Sequence, residues 1–204
     1  MDPVPSIPSR DDDPALRSPG DTPPARILFV CTANRIRSPF AAAVARRLIA
    51  EHDLPIEASS AGLDEGGLPA MDRMVRVARE WDIDLADHES RQATTELIES
   101  SNLTIAMTGS HVVDLTSEFP SALSRLVTLR EAAEATQETG PPEWNAAAIA
   151  EWSAQVTQRP LSELLSGTLD VADPVGRSKR VHRRTAALIE ALVGQLLVPV
   201  PEAG

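Results

Sequence analysis

Cys31 is the only cysteine of the chain, and Arg37 and Ser38 follow it at short fixed offsets. The stretch Cys31-Thr32-Ala33-Asn34-Arg35-Ile36-Arg37-Ser38 brings together three kinds of chemistry. The sulfur is a nucleophile when ionised, and thiolate is favoured where backbone N–H groups converge at a helix N-terminus. The Arg37 guanidinium can grip two phosphate oxygens at once. The Ser38 hydroxyl can donate to the sulfur and help it leave again. Residues 32–38 are therefore candidates for an anion cradle, with Cys31 beneath it to attack phosphorus. A lone cysteine forms no internal disulfide and no cysteine-cluster metal site.

Such a loop works only if rigid elements hold both of its ends. Before it, Ile27-Leu28-Phe29-Val30 is a continuous apolar run of the kind that forms a buried parallel strand. After it, Ser38-Pro39 predicts a helix start, with serine as N-cap and proline at the first helical position. Phe40, Val44 and Leu48 then recur every four residues. The alternation continues with a strand at 55–61 ending at Gly62, and a helix at 71–81 with Met74, Val75, Ala78 and Trp81 on one face. A strand at 103–107 and a short helix at 111–118 follow, then a strand at 125–129 and a last helix at about 178–197. Strands alternating with helices predict an α/β fold with a parallel sheet covered on both faces. Ligands bind such sheets at the carboxyl ends of the strands, where the Cys31 loop lies. Residues 130–165 break the rhythm. Gly140-Pro141-Pro142 interrupts them, and Trp144, Ala148 and Trp152 repeat every four residues, so the segment reads as an inserted helical subdomain or lid.

Composition bounds the rest. The chain has 204 residues, 42% of them apolar, enough for one domain with a real core. Nineteen Lys and Arg stand against 30 Asp and Glu, a net charge of -11 that argues against a general nucleic-acid binder. No apolar run is long enough to span a bilayer, and the N-terminus lacks a secretory pattern. The expectation is a cytoplasmic protein with no membrane or nucleic-acid partner. Residues 1–25, punctuated by prolines and by Asp11-Asp12-Asp13, are expected to be a disordered tail. The domain is expected at 26–199, with a disordered C-terminus at 200–204.

Cys31-x-x-Asn34-x-x-Arg37-Ser38-Pro39, following an apolar strand, resembles the low molecular weight protein tyrosine phosphatase family. The likeness continues through Ser59-Ser60-Ala61-Gly62, Gly67-Leu68-Pro69-Ala70, His88-Glu89-Ser90-Arg91 and Ile105-Ala106-Met107-Thr108. It reaches Val127-Thr128-Leu129-Arg130 and Asp173-Pro174. The resemblance implies a doubly wound, four-stranded parallel sheet in a flavodoxin-like, three-layer arrangement. It implies phosphate monoester hydrolysis without metal or cofactor, through a phosphocysteine on Cys31. Asp173 would act as general acid and then as general base. Asn34 would take a left-handed backbone conformation that lets N–H groups converge, and Ser60 and His88 would brace the loop. The substrate would be a phosphorylated protein, such as a phosphotyrosine protein, or a small phosphoester.

Several positions depart from the family pattern. Ala33 stands where glycine is usual, and Ile36 where a second cysteine is common. Val175-Gly176-Arg177 replaces the tyrosines that wall an aryl phosphate, and the chain contains no tyrosine at all. Arg35, Val175, Arg177 and Arg180 form a candidate rim for an anionic substrate. A thiol-coupled arsenate reductase on the same fold and a catalytically weak anion-binding module stay open as alternatives.

Overall fold

In the computed structural model, which describes residues 23–157 and 160–198, the first strand is β1, Ala25–Cys31. Ala25 is part of this strand and buried, so the domain begins one residue before the expected boundary. The rest of the expected N-terminal tail, apart from Pro23 and Pro24, lies outside the described residues, as does 200–204. β1 is central because both of its faces are apolar. Ile27, Phe29 and Cys31 enter one core cluster, and Leu28 and Val30 the other. A strand buried on both sides needs helices on both sides.

Parallel β2 (Ile56–Gly62), β3 (Leu103–Ala106) and β4 (Leu126–Thr128) complete the sheet in the order β2-β1-β3-β4. Phe29 sits between Ser60 on β2 and Ile105 on β3. Against the Phe29 face pack α1 (Arg37–His52), α2 (Asp72–Ala78), α5 (Leu129–Thr139), α6 (Ala146–Val156) and α8 (Lys179–Leu197). The Leu28 face is covered by α3 (Thr95–Glu99) and α4 (Gly109–Glu118). The short α7, Leu161–Leu164, touches α4. This is the doubly wound, three-layer sheet that the resemblance implied.

β2 is an edge strand, and side chains cover its outer edge. Residues of a parallel strand point their backbone groups alternately to the two sides. Cys31 accepts from the Leu63 amide on the β1 side, so the carbonyls of Ala58 and Ser60 face outward. Arg46 donates to the first at 3.3 Å and Arg91 to the second at 2.8 Å.

Three expectations change. Helix α1 starts at Arg37 behind Ile36, with no side-chain cap, so Ser38 is not an N-cap and its hydroxyl is spent elsewhere. The predicted helix at 71–81 is α helical only to Ala78 and then tightens to a 3-10 turn over Arg79–Trp81. The tighter turn puts Trp81 edge-on to Phe40, ring centres 5.9 Å apart. The stretch after β4 opens with α5, whose Leu129, Ala132 and Ala133 are buried in the main core. A capping box of Thr128 and Glu131 starts this helix directly at the strand end. Next comes α6, which places Ile149 and Trp152 in the same core, so these residues pack on the β4 side of the sheet.

Candidate active site

β1 ends at Cys31, and the chain turns through residues 32–36 into α1, as the sequence predicts. Asn34 adopts φ 52°, a left-handed conformation that asparagine tolerates better than most residues. The outer side of the loop is held by neighbours: Leu63 and Asp64 donate their amides to the carbonyls of Cys31 and Thr32 at 3.1 and 2.9 Å. Gly62 permits this approach, since a Cβ there would lie 2.6 Å from the Thr32 carbonyl oxygen. With its carbonyls turned outward, the loop directs N–H groups inward. No backbone acceptor takes the amides of Ala33, Asn34, Arg35 or Ile36 among the described residues. Arg37 and Ser38, in the first turn of α1, add the donors that a helix start leaves free.

Under the loop, the Cys31 sulfur lies 3.0 Å from the Ser38 hydroxyl oxygen. That oxygen also accepts from Asn34 Nδ2 at 2.9 Å, and its proton has a second acceptor in the Ala61 carbonyl at 3.1 Å. One hydroxyl proton thus has two resting places: toward the carbonyl when the sulfur is protonated, toward the sulfur when it is thiolate. His88 Nε2 donates to the Asn34 carbonyl at 2.7 Å, and the Arg91 amide to Asn34 Oδ1 at 3.1 Å. His88 therefore braces the loop. Ser60 does not join this network through its hydroxyl among the described residues. Its carbonyl binds Arg91, and the β2 contribution to Ser38 comes from Ala61.

Arg37 is 3% exposed although charged, and its partners account for that. It donates to the Val171 carbonyl at 3.1 Å, to Thr32 Oγ1 at 3.2 Å and to Asp173 Oδ2 at 2.8 Å. The Asp173 loop is itself anchored to the sheet. The Val171 amide donates to the Met107 carbonyl, Asp170 accepts from the Gly109 amide, and Arg130 donates to the Asp170 carbonyl. Asp173 Oδ1 accepts from the Val175 amide, closing a local turn around the buried Pro174.

His111 was given no role by its sequence, yet it is part of this site. It is buried at the start of α4, and its Nε2 is 2.9 Å from Thr32 Oγ1. A polar chain therefore runs His111–Thr32–Arg37–Asp173. Burial is the main cause that lowers its pKa to about 4, and Arg37 adds to it against the weaker pull of Asp170 and Asp173. His111 is thus neutral at ordinary pH. The available signal was its position one turn beyond the carboxyl end of a central strand, which carries more information than its residue type.

Cys31, Thr32, Ala33, Arg35, Ile36, Arg37, Asp173 and Val175 line one cavity of about 370 Å³, joined by Asp64 and Met71, which the sequence did not single out. Of the expected rim, Arg35 and Val175 face this cavity, whereas Arg177 and Arg180 are exposed outside its lining. The basic run that opens α8 is partly neutralised, because Lys179 and Arg183 both pair with Glu80 at 3.0 and 2.6 Å.

Comparison with known proteins places this geometry. The family model for low molecular weight phosphotyrosine protein phosphatase matches residues 26–142. A protein-arginine-phosphatase of Geobacillus stearothermophilus is 31% identical over 176 residues, covering 85% of this chain and 94% of that protein. A low molecular weight protein tyrosine phosphatase from T. tengcongensis superposes with a TM-score of 0.67 at 28% identity, covering 86% of this chain and 99% of its own. A YwlE mutant from Bacillus subtilis gives 0.65 at 29%, covering 85% and 96%. No helix among the described residues is long and apolar enough to cross a membrane. A cysteine on a strand-loop-helix turn, the matched model and these relatives agree, and the chain is a cysteine-based phosphatase belonging to the low molecular weight phosphotyrosine protein phosphatase family.

Proposed function

We propose that the protein dephosphorylates phosphorylated side chains of other proteins, with Cys31 as nucleophile, Arg37 as phosphate clamp and Asp173 as acid and base. The supporting observation is that all three line one cavity although Asp173 lies 136 residues from Arg37 in the chain. In the first step the Cys31 sulfur bonds to phosphorus as the bond to the leaving atom breaks, and Asp173 gives that atom a proton. In the second, Asp173 takes a proton from water, the oxygen bonds to phosphorus, and the S–P bond breaks to return thiolate and inorganic phosphate. An incoming phosphate competes with Asp173 for Arg37, so substrate binding releases the carboxyl group from its ion pair. Ser38 stabilises the departing sulfur by turning its proton from Ala61 to Cys31.

The cavity favours a phosphorylated side chain without an aromatic ring. Its lining contains no aromatic residue, while Asp64 and Asp173 offer carboxylate acceptors beside the phosphate loop. Phosphoarginine fits this chemistry, since its guanidino group is planar and rich in donors, and it matches the activity named for the relatives from Geobacillus and Bacillus. Phosphotyrosine is the second reading, supported by the family description and by relatives named as probable tyrosine phosphatases in Ralstonia.

The test is turnover of p-nitrophenyl phosphate, a phosphoarginine peptide and a phosphotyrosine peptide by wild type, Cys31→Ser and Asp173→Ala. We expect no turnover by Cys31→Ser and a loss of about 10²–10⁴-fold in kcat for Asp173→Ala. Wild-type rates from Cys31→Ser would overturn the mechanism. A tenfold preference for the phosphotyrosine peptide would replace the first substrate reading with the second.

A further inference from the structure

Beside the catalytic cavity lies a second one of about 520 Å³, and the two share Arg35 and Met71 as a common wall. Asp72, Arg73, Arg76, Gly176 and His182 complete its lining. Three guanidinium groups thus face one carboxylate, and none of the three has an acidic partner within 4 Å among the described residues. Arg35 donates to the Pro69 carbonyl at 2.8 Å, and Arg73 to the Arg177 carbonyl, so both are held in place by neutral acceptors and keep uncompensated charge. His182, also in the wall, is 1% exposed; its Nδ1 donates to the Ser178 carbonyl at 3.1 Å, and its Nε2 has no partner among the described residues.

Elsewhere Arg47 pairs with Glu51 and Glu190, and Lys179 and Arg183 with Glu80, whereas other arginines such as Arg79, Arg180 and Arg184 also lack a carboxylate within 4 Å among the described residues. The groove is set apart by gathering three such arginines into one cavity wall beside the phosphate loop. A groove that keeps three cations unpaired, directly continuous with the phosphate site, has a surplus of positive charge oriented for a ligand. From these observations we infer that the Arg35–Arg73–Arg76 groove is a substrate subsite that binds an acidic side chain, Asp or Glu, close in sequence to the phosphorylated residue of a protein substrate. The inference rests on the protein-phosphatase reading above and adds a sequence preference to it. A peptide strand advances about 3.3 Å per residue, so a residue one to three positions from the phosphorylated one reaches the adjoining cavity. The carboxylate would take guanidinium donors from Arg73 and Arg76, while Arg35 separates it from the phosphate.

The experiment measures a ratio inside each enzyme form. Two phosphopeptides are compared, identical except that Glu flanks the phosphorylated residue in one and Gln in the other, in both a phosphoarginine and a phosphotyrosine series. For the wild type, kcat/KM for the Glu peptide should exceed that for the Gln peptide by about 10-fold, mostly through KM, and the ratio should shrink as salt is raised. Arg73→Gln/Arg76→Gln should bring the ratio to about 1, and Arg73→Lys/Arg76→Lys should restore part of it. Because the ratio is internal, a general loss of activity cancels. Wild-type turnover of p-nitrophenyl phosphate reports the catalytic reading separately. Binding of the same peptides to Cys31→Ser reads the groove without chemistry, so failure of turnover and failure of the subsite are distinct results. Equal constants for the two peptides with the wild type would overturn the subsite. So would a preference that survives in Arg73→Gln/Arg76→Gln but disappears in Arg177→Gln/Arg180→Gln.

Discussion

At Cys31 and Arg37 the candidate chemistry could be read from residue type and spacing, because few side chains can serve as nucleophile or grip a phosphate. Asn34, by contrast, came from the family resemblance, and its φ of 52° agrees with it. Ser38 was identified as a partner of the sulfur, but its expected capping role was wrong: the hydroxyl cannot both cap α1 and contact Cys31. His111 was missed because its contribution depends on a partner 79 residues away, Thr32. Its environment leads to a measurable prediction. The native state holds His111 well below its ordinary pKa of 6.5, at about 4, so between these values the unfolded chain binds a proton that the native protein refuses. Stability therefore falls as pH drops from about 6.5 to about 4, by as much as about 3 kcal/mol from this one group. Urea unfolding of wild type and His111→Gln across this window should show the extra loss only in the wild type. Parallel pH profiles would remove His111 as the cause.

Elements were easier to read where their apolar pattern is strong. β1, α1 and α8 are placed by Leu, Ile, Val and Phe. By contrast, α5 buries Ala132, Ala133 and Thr136, whose weak hydrophobic signal hid a core helix inside a segment that looked inserted. It also begins at Leu129 with no loop after a strand of only three residues, so the Thr128-x-x-Glu131 capping pattern, with no turn residues beside it, was the signal left to read. The contact between β2 and the phosphate loop gives a prediction at this scale. In Gly62→Ala the new methyl carbon meets backbone atoms of Thr32, Ala33 and Asn34 at 2.6 to 2.9 Å. No side chain can swing away to relieve this, so the loop itself must move. We expect a stability loss of about 1–3 kcal/mol, and a fall in kcat/KM of about 100-fold from misplaced donors. Denaturant melts and p-nitrophenyl phosphate kinetics would measure both, and wild-type kinetics would show that the loop does not depend on this approach.

For the whole molecule, net charge was a poor guide to the site. The -11 total excludes a basic binding surface in bulk but conceals a phosphate loop and a neighbouring groove that are both positive. Packing at this scale depends on α8, which returns from the far end of the chain to lie against α1, α2 and α5. Ile189, fully buried in the middle of this helix, belongs to the same cluster as Phe29 and Phe40. Ile189→Ala should cost about 2–5 kcal/mol of unfolding free energy while leaving KM for p-nitrophenyl phosphate unchanged, as urea titration and steady-state kinetics can check. Coupled loss of both would mean that α8 also tunes the site through α1.

The arginines on the edge of β2 act on how the molecule meets other copies of itself. Every open sheet offers unpaired backbone at its margin, and a passing strand can add to it. Here the outward carbonyls of Ala58 and Ser60 are occupied by Arg46 and Arg91, two like charges near enough to repel each other and any basic newcomer. An incoming strand would have to displace both guanidinium groups before its own amides could reach those two carbonyls. The strand that carries the nucleophile is one position in from that margin, so the same pair of side chains insulates the catalytic loop from sheet extension in a crowded solution.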